Sequence, residues 1–437
     1  MATSGFSAGI IRRMPSFESR DFRMLFLSGF FTAGARWAMV LGRGWLVFDM
    51  TGSATAVGAV TFSSFIPFTI FGPVAGVLAD RFDRRAQLLA STSAAVGFSA
   101  ILAVLTLSGV VELWHVIVLS LLSGVAQAGT VPARQSLLPN LVDEKHLLNA
   151  IALGAIAQHG SRVVGPLFGA ALLASVGTGY VFVLSTALLL MGVLGVAAIQ
   201  HRRPAETRSS EGGLASATRS LGSDLREGVA YAQQDRRVAT VMVMVMIHCG
   251  LTMAFDSMMP SLSKLVGGGS TTYSAVLVGI GSGAIVGTFA LSLVQTPVAT
   301  GRALIVTAVG SGVAMILLGV AQTPAAVVGA AVLVGSTEAA FMALSSALIQ
   351  QVVPDALRGR VMSLYIMMAS SHMAFLGFGY GWAADSISVR ILLIGPAVIW
   401  TVFFIAAGVG LGEVRHMIRR GTFRPLPASV SVSTSEI

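Results

Sequence analysis

Eight ionisable side chains stand inside long apolar stretches: Arg36, Arg43, His159, Arg162, His248, Asp256, Glu338 and His372. A charge in lipid is costly and marks a transport path, a proton relay or a ligand site. Arginine keeps its proton in a protein, so Arg36, Arg43 and Arg162 each need an acid, cavity water or a bound anion. Arg36 and Arg43 are seven apart and project from one helix face. All three arginines lie in the first half of the chain, whereas the acids Asp256 and Glu338 lie in the second. Two readings stand equally. The arginines pair with Asp256 or Glu338 across a central cavity and lock one conformation, or they attract a substrate bearing carboxylate or catecholate groups. The two acids are the candidates for proton coupling, because a carboxyl in a low-dielectric cavity exchanges its proton in response to nearby charge. A fixed ion-pair strut is the alternative for each. His159 sits one turn from Arg162 and is placed to tune it. His248 and His372 line a cavity or titrate near neutral pH, against the plainer role of hydrogen-bonded packing. Phe65 and Phe341 join Trp37, Phe62, Phe255 and Tyr365 as candidate walls of a tolerant apolar pocket.

Those side chains need elements to hold them, and composition says which. Of 437 residues, 54% are apolar and only 11% charged, and the mean hydropathy is +0.81. A soluble domain carries about 25% charged residues, so the bulk of this chain belongs in a bilayer. Disorder is excluded by the same excess of apolar surface. One cysteine, Cys249, excludes a disulfide framework and a thiolate metal cluster. Neither a metal nor a cofactor is expected, and no complete nucleophile or metal constellation supports an enzyme. Gly279-Ile280-Gly281-Ser282-Gly283 lies inside an apolar run with no strand before it, so it is no nucleotide loop. Gly279, Gly283 and Gly287 form a small-residue stripe for helix packing instead.

A helix needs about 20 apolar residues to cross a bilayer. Twelve runs qualify: 22–48, 54–79, 86–109, 113–135, 146–175, 179–200, 238–264, 272–297, 301–321, 324–351, 360–384 and 388–412. They lack the sustained alternation that a membrane barrel requires. The N-terminal stretch around Ile10–Pro15 lacks the long apolar core of a cleavable signal, so the first run reads as a retained anchor. Placing the 28 basic residues on this frame puts 23 on one side, Arg134 among them. By the positive-inside rule that side is the cytoplasm. The expected organisation is an N-tail (1–21), a first six-helix bundle (22–200), a charge-rich central loop (201–237), a second bundle (238–412) and a C-tail (413–437), both tails cytoplasmic and the C-tail mobile. The positive charge, +9 in all, is thus a topology signal, and no nucleic-acid partner is expected. Leu221, Leu225, Val229 and Ala232 recur at helical spacing in the central loop, as in an amphipathic helix on a membrane face. The bundles also repeat in sequence: Gln135–Asn140 and Gln350–Asp355 follow the fourth and tenth runs, and Gly52–Thr55 matches Gly269–Thr272. A parallel duplication of this kind is a feature of transporters that rock one half against the other.

Two phrases narrow the class. Gly76-Val77-Leu78-Ala79-Asp80-Arg81-Phe82-Asp83-Arg84-Arg85 closely resembles the loop signature of the major facilitator superfamily, with Asp83 in place of the usual glycine. Gly160-Ser161-Arg162-Val163-Val164-Gly165-Pro166-Leu167-Phe168-Gly169 resembles that superfamily's antiporter signature. Trp45–Ser53, Pro132–Pro139 and Leu357–Ser363 look like the branch containing enterobactin exporters and macrolide efflux pumps. The resemblance covers roughly residues 17–412. It implies an all-α integral membrane fold of twelve transmembrane helices in two pseudo-symmetric six-helix bundles. It further implies a latch between the halves formed by Gly76, Asp80, Arg81, Arg84 and Arg85, and a bend at the bundle interface formed by Gly160, Gly165, Pro166 and Gly169. The function expected is proton-coupled efflux of an amphiphilic small molecule, a siderophore or a drug, by a monomer in the inner (plasma) membrane. Import or facilitated passage of a small anionic solute, and a transporter-like receptor that no longer transports, are the alternatives.

Overall fold

The computed structural model of the chain describes residues 15–81, 83–200, 226–294 and 296–420. It is helical throughout, with no strand among the described residues. The long helices are α1 (Arg20–Thr51), α2 (Ala54–Arg81), α3 (Arg84–Leu107), α4 (Leu113–Leu137), α5 (Leu147–Ser175), α6 (Thr178–Ala197), α7 (Arg236–Leu265, broken), α8 (Gly269–Ser292), α9 (Pro297–Val320), α10 (Pro324–Val352), α11 (Asp355–Ala384) and α12 (Val389–Gly410). A short amphipathic helix, α13 (Gly412–Arg420), follows. Every end lies within about five residues of the run read from the sequence. Eleven of the twelve are long and apolar enough to cross a membrane by hydropathy alone. The remaining one, α5, carries Gln158, His159 and Arg162. Outward faces are apolar and bare, as at Phe289, Trp382 and Val409, which is the pattern of helices solvated by lipid.

Local chemistry sets the ends. Ser19, Asp83, Asp235, Thr296 and Thr323 cap α1, α3, α7, α9 and α10 by accepting a first-turn amide. Gly52 closes α1 with a left-handed φ of 65°, a conformation that glycine adopts without strain. Two expectations need correcting. The seventh run reads as one helix in the sequence, but α7 passes through a π turn at Cys249–Met253 and a 3-10 turn at Asp256–Met258 before resuming at Met259. Gly250 lies within the π turn and Pro260 just past the 3-10 turn; such irregular backbone is tolerated in a membrane where protein buries it. The tail beyond Glu413 is expected to be mobile; its first part is instead α13, which seats Val414 and Met417 in the core. Gly301 of α9 admits it, since a Cβ there would lie 2.3 Å from the Ile418 carbonyl oxygen.

The first six helices form one bundle and the last six another, joined along two seams, α2 on α11 and α5 on α8. Both bundles run the same way, so the ends near Arg20 and Arg420 form one proximal face and the 1–2 and 11–12 turns lie at the distal face. Glycine makes the close approaches inside the second bundle: Cβ atoms on Gly283, Gly287 and Gly335 would each fall 2.0 Å from a carbonyl oxygen of the facing helix in the α8–α10 pair.

The two faces are packed differently. One apolar cluster joins the bundles toward the distal face, with Ala38, Leu41, Leu173 and Val181 of the first against Phe255, Met258, Tyr273 and Ile280 of the second. Trp45 stacks on Tyr273 at 6.1 Å, and the Tyr273 hydroxyl donates to the Val40 carbonyl. The proximal clusters stay within single bundles: Phe22, Leu88, Leu137 and Ile199 in the first, Val238, Val361, Trp400 and Met417 in the second. Among the described residues, then, the apolar cluster that joins the bundles lies toward the distal face.

Asp385 completes the distal seal. Leaving α11, its carboxylate accepts from the backbone amides of Ala54 and Thr55 at 2.7 and 3.2 Å and from the hydroxyls of Ser53 and Thr55 at 2.5 and 2.6 Å. An acid of one bundle thus caps the N-terminus of a helix of the other, where the exposed amides and the helix dipole favour negative charge. Burial pushes this carboxyl up, but the bonds from Ser53, Thr55 and the two amides outweigh it and hold the group below its ordinary range. A depressed carboxyl contributes fully above its unfolded value near pH ~4 and loses that contribution as pH falls through the folded value. Asp385→Ala is accordingly expected to loosen the distal seal at neutral pH. Spin labels on Thr51→Cys and Ser388→Cys, with Cys249 replaced by serine, should report a short distance at pH 7 that lengthens in the variant and, in the parent, only in strong acid. An unchanged distance in Asp385→Ala would remove this carboxylate from the closure.

Candidate functional site: an arginine-lined cavity beside an acidic pair

A cavity of about 660 Å3 lies within the first bundle, bounded by α1, α3, α4, α5 and α6. It runs from Phe22, Pro139 and Leu147 at the proximal rim to Arg43 in its depth. Two polar stripes line it. On α1 they are Gly29, Thr32, Arg36 and Arg43, and on α4 Ser123, Gln127, Thr130 and Arg134. With Ser120, the α4 positions recur every three or four residues, so they share one helix face.

The arginines differ in what they hold. Arg43 is only 5% exposed and is satisfied by neutral acceptors: the Met39 carbonyl at 3.3 Å, Ser64 Oγ at 3.3 Å and Ser120 Oγ at 2.8 Å. Arg134 donates to the Leu25 carbonyl at 3.0 Å and to Thr32 Oγ1 at 3.2 Å. Arg36 makes no hydrogen bond among the described residues; its guanidinium lies 5.7 Å from the Trp37 ring centre. Arg162 lies 4.5 Å from the same ring, within cation–π range. No carboxylate among the described residues forms an ion pair with any of these four arginines.

The sequence counts Arg134, at the end of the fourth run, only among the basic residues of the cytoplasmic side. The structure corrects this. Helix α4 continues through Pro132 to Leu137 and carries Arg134 into the cavity, so sequence reasoning alone misses a residue of the site. The polar stripe from Ser120 to Arg134 is the signal that could have found it.

Arg162 stands at the seam between bundles, where its carbonyl oxygen would lie 2.6 Å from a Cβ on Gly281 of α8. Beyond it are the acids. Asp256 opens the 3-10 turn in the α7 break, and Glu338 is 5% exposed on α10, with Oε1 unbonded. The field of Arg162 reaches both carboxylates, and they act on each other. Neither lines the arginine cavity among the described residues. Arg162 is thus the cation whose charge acts on both acids and on Arg36.

The remaining candidates are scattered. His248 is fully buried, with Nδ1 against Thr252 Oγ1 at 2.9 Å and its ring against Phe341 and Trp400 at 4.2 and 4.8 Å. His372 Nδ1 lies 3.1 Å from the Met368 carbonyl, one turn back on α11. Phe65 is half-buried on α2. The side chains of His159, Gly76, Asp80 and Arg81 lie outside the described residues, as does Phe82. Arg84 donates to the Ser136 carbonyl, and Arg85 to those of Val196 and Ala197. Both arginines are therefore engaged within the first bundle. The Gly160–Gly169 phrase lies on α5, which runs through Pro166. Cβ atoms on Gly165 and Gly169 would fall 2.2 Å from the Gly34 oxygen and 2.9 Å from Leu41, so these glycines let α5 lie directly on α1.

A family profile described as transmembrane secretion effector matches residues 13–425. The chain belongs to this family, within the major facilitator superfamily. Among curated relatives, macrolide efflux protein A of Streptococcus pyogenes is 24% identical over 248 residues, 56% of this chain and 59% of the relative. The staphyloferrin A transporter of Staphylococcus aureus is 28% identical over 153 residues, 35% of this chain and 38% of that protein. The chain spans less than two thirds of the length of each. Solved structures share the fold. A point mutant of the nucleoside transporter NupG aligns with a TM-score of 0.68 at 16% identity, covering 89% of this chain and 99% of that one. A POT family transporter bound to a thioalcohol-conjugated peptide aligns with a TM-score of 0.69 at 11% identity, covering 90% and 96%. The twelve-helix, two-bundle architecture read from the sequence is thus that of a membrane transporter family.

Proposed function

We propose that the protein exports an amphiphilic small molecule, of the siderophore or drug kind, in exchange for protons. The observation that carries this reading is that Arg162 shares the Trp37 ring with the cavity arginine Arg36 while its charge acts on both Asp256 and Glu338. One guanidinium balances one carboxylate. The second acid must stay charged against its neighbour or hold a proton, so proton arrival and departure change the pull on Arg162. A cargo entering the cavity acts on the same arginine from the other side. Either event biases the two seams along which the bundles rock, and a site read by both ligands couples their movements. The family's description and the two relatives' names support efflux of small molecules. The positive-inside distribution supports placement in the inner (plasma) membrane with the proximal face, and both termini, in the cytoplasm. Protons and the cargo are then the partners, and the working unit is a monomer.

The test is flux. In proteoliposomes with the proximal face outward and an acidic lumen, a macrolide and a carboxylate siderophore are each added outside; at least one should accumulate, and a protonophore should abolish the accumulation. Equal uptake with and without the pH gradient, at clamped membrane potential, would contradict proton coupling.

A further inference from the structure

We propose that the cargo is an anionic amphiphile whose carboxylate-type group is held by Arg36, and that the cavity disfavours amphiphilic amines. This deepens the preceding reading and rests on the cavity being the cargo site. The lining carries three guanidiniums, Arg36, Arg43 and Arg134, and no aspartate or glutamate among the described residues. Two of the three have their donors occupied by carbonyl and hydroxyl oxygens. Arg36 has none occupied among the described residues, and it shares the Trp37 ring with the like charge of Arg162. An unpaired guanidinium in a low-dielectric cavity carries a large desolvation cost. A carboxylate relieves it with two parallel charge-assisted bonds, for which the planar fork is shaped. A cationic ligand adds a fourth positive charge to the lining and finds no carboxylate there, because neither Asp256 nor Glu338 lines the cavity.

The rest of the cavity suits the remainder of such a molecule. Phe26, Met39 and Ile151 offer apolar surface, while Gln127 and Gln158 offer adaptable hydrogen bonds. Its volume, about 660 Å3, falls in the range of sites that enclose drug-sized ligands. Arg134 lies against Gly29, so Arg134, Arg36 and Arg43 mark levels about seven residues apart on α1, steps of roughly 10 Å. An anion entering from the proximal rim meets Arg134 first, then Arg36, with Arg43 beneath.

The experiment compares one fluorophore carrying opposite charges, dansylglycine and dansylcadaverine, titrated onto the full chain in nanodiscs without any pH gradient. Dansylglycine should bind at least tenfold more tightly. Arg36→Gln should remove that preference, Arg36→Lys should keep most of it, and Arg390→Gln, a distal arginine bonded to the Gly319 carbonyl, should leave it unchanged. Thermal melting of each variant separates loss of binding from loss of fold. Equal affinity for the two probes, tighter binding of the amine, or an anion preference that survives Arg36→Gln would each overturn the proposal. Binding needs no gradient, so a failure of proton coupling leaves this result standing. Gradient-driven flux of a cationic drug, with no anion preference in binding, would overturn this inference alone.

Discussion

Asp256→Asn and Glu338→Gln are each expected to lower gradient-driven cargo flux by tenfold or more while leaving the bundles folded. Both substitutions keep side-chain shape and remove the ability to exchange a proton. The charge arithmetic at the seam explains the size of the effect. With two acids facing Arg162, the pair changes its net charge each time one proton comes or goes. With either acid neutralised permanently, Arg162 keeps a single fixed partner and proton exchange no longer alters its balance. Cargo binding should persist, because neither acid lines the arginine cavity. The informative measurement is therefore the split between binding, near the parent value, and gradient-driven flux. Export that rises normally with the pH gradient in both variants would take these acids out of the mechanism. A fall in binding equal to the fall in flux would mean that they act on cargo rather than on protons.

The second large effect concerns helix packing. Gly165→Leu should disrupt the first bundle, because even the first added carbon would lie 2.2 Å from the Gly34 carbonyl oxygen and 3.2 Å from the Ala38 amide nitrogen. The atoms met are all backbone of α1, with nothing flexible to move aside, so α5 must separate from α1. Overpacking costs about 1–3 kcal/mol, and more where rigid backbone is met on the far side. Helix α5 also forms the α5–α8 seam, so the displacement reaches the interface between bundles and the position of Arg162. A fall of many degrees in melting temperature, with loss of transport, is the expected result for purified protein. A comparable substitution at Gly154, where a Cβ meets nothing within 4 Å, should melt near the parent. Similar melting of both variants would show that the close approach of α1 and α5 does not hold the bundle together.

The spans and the duplication are readable in the sequence because lipid imposes a strict rule: backbone groups are satisfied within helices, and charge is expelled to the ends. Each departure from that rule is visible as well, which is why Arg36, Arg43, Arg162, Asp256 and Glu338 stand out. Their partners are not visible. Whether Arg43 bonds an acid or two hydroxyls depends on how α1, α2 and α4 pack, and serines such as Ser64 and Ser120 are ordinary residues in a span. Arg134 is counted with the cytoplasmic charges because it stands at the end of the fourth run, and only the packing of α4 on α1 turns its side chain into the cavity. The break in α7 is hidden by the apolar composition from Val241 to Met259. The Asp385 seal joins positions 332 apart in sequence, and no local pattern encodes such a contact.

Coupled exchange through a seam shared by cargo and protons can be read directly from proton movement. In proteoliposomes carrying a pH-sensitive dye in the lumen and no initial pH gradient, an imposed gradient of a transported carboxylate siderophore should drive protons in the opposite direction. The lumenal pH change should scale with cargo flux and vanish in Asp256→Asn/Glu338→Gln. Cargo moving down its gradient with no lumenal pH change, at clamped membrane potential, would contradict the account.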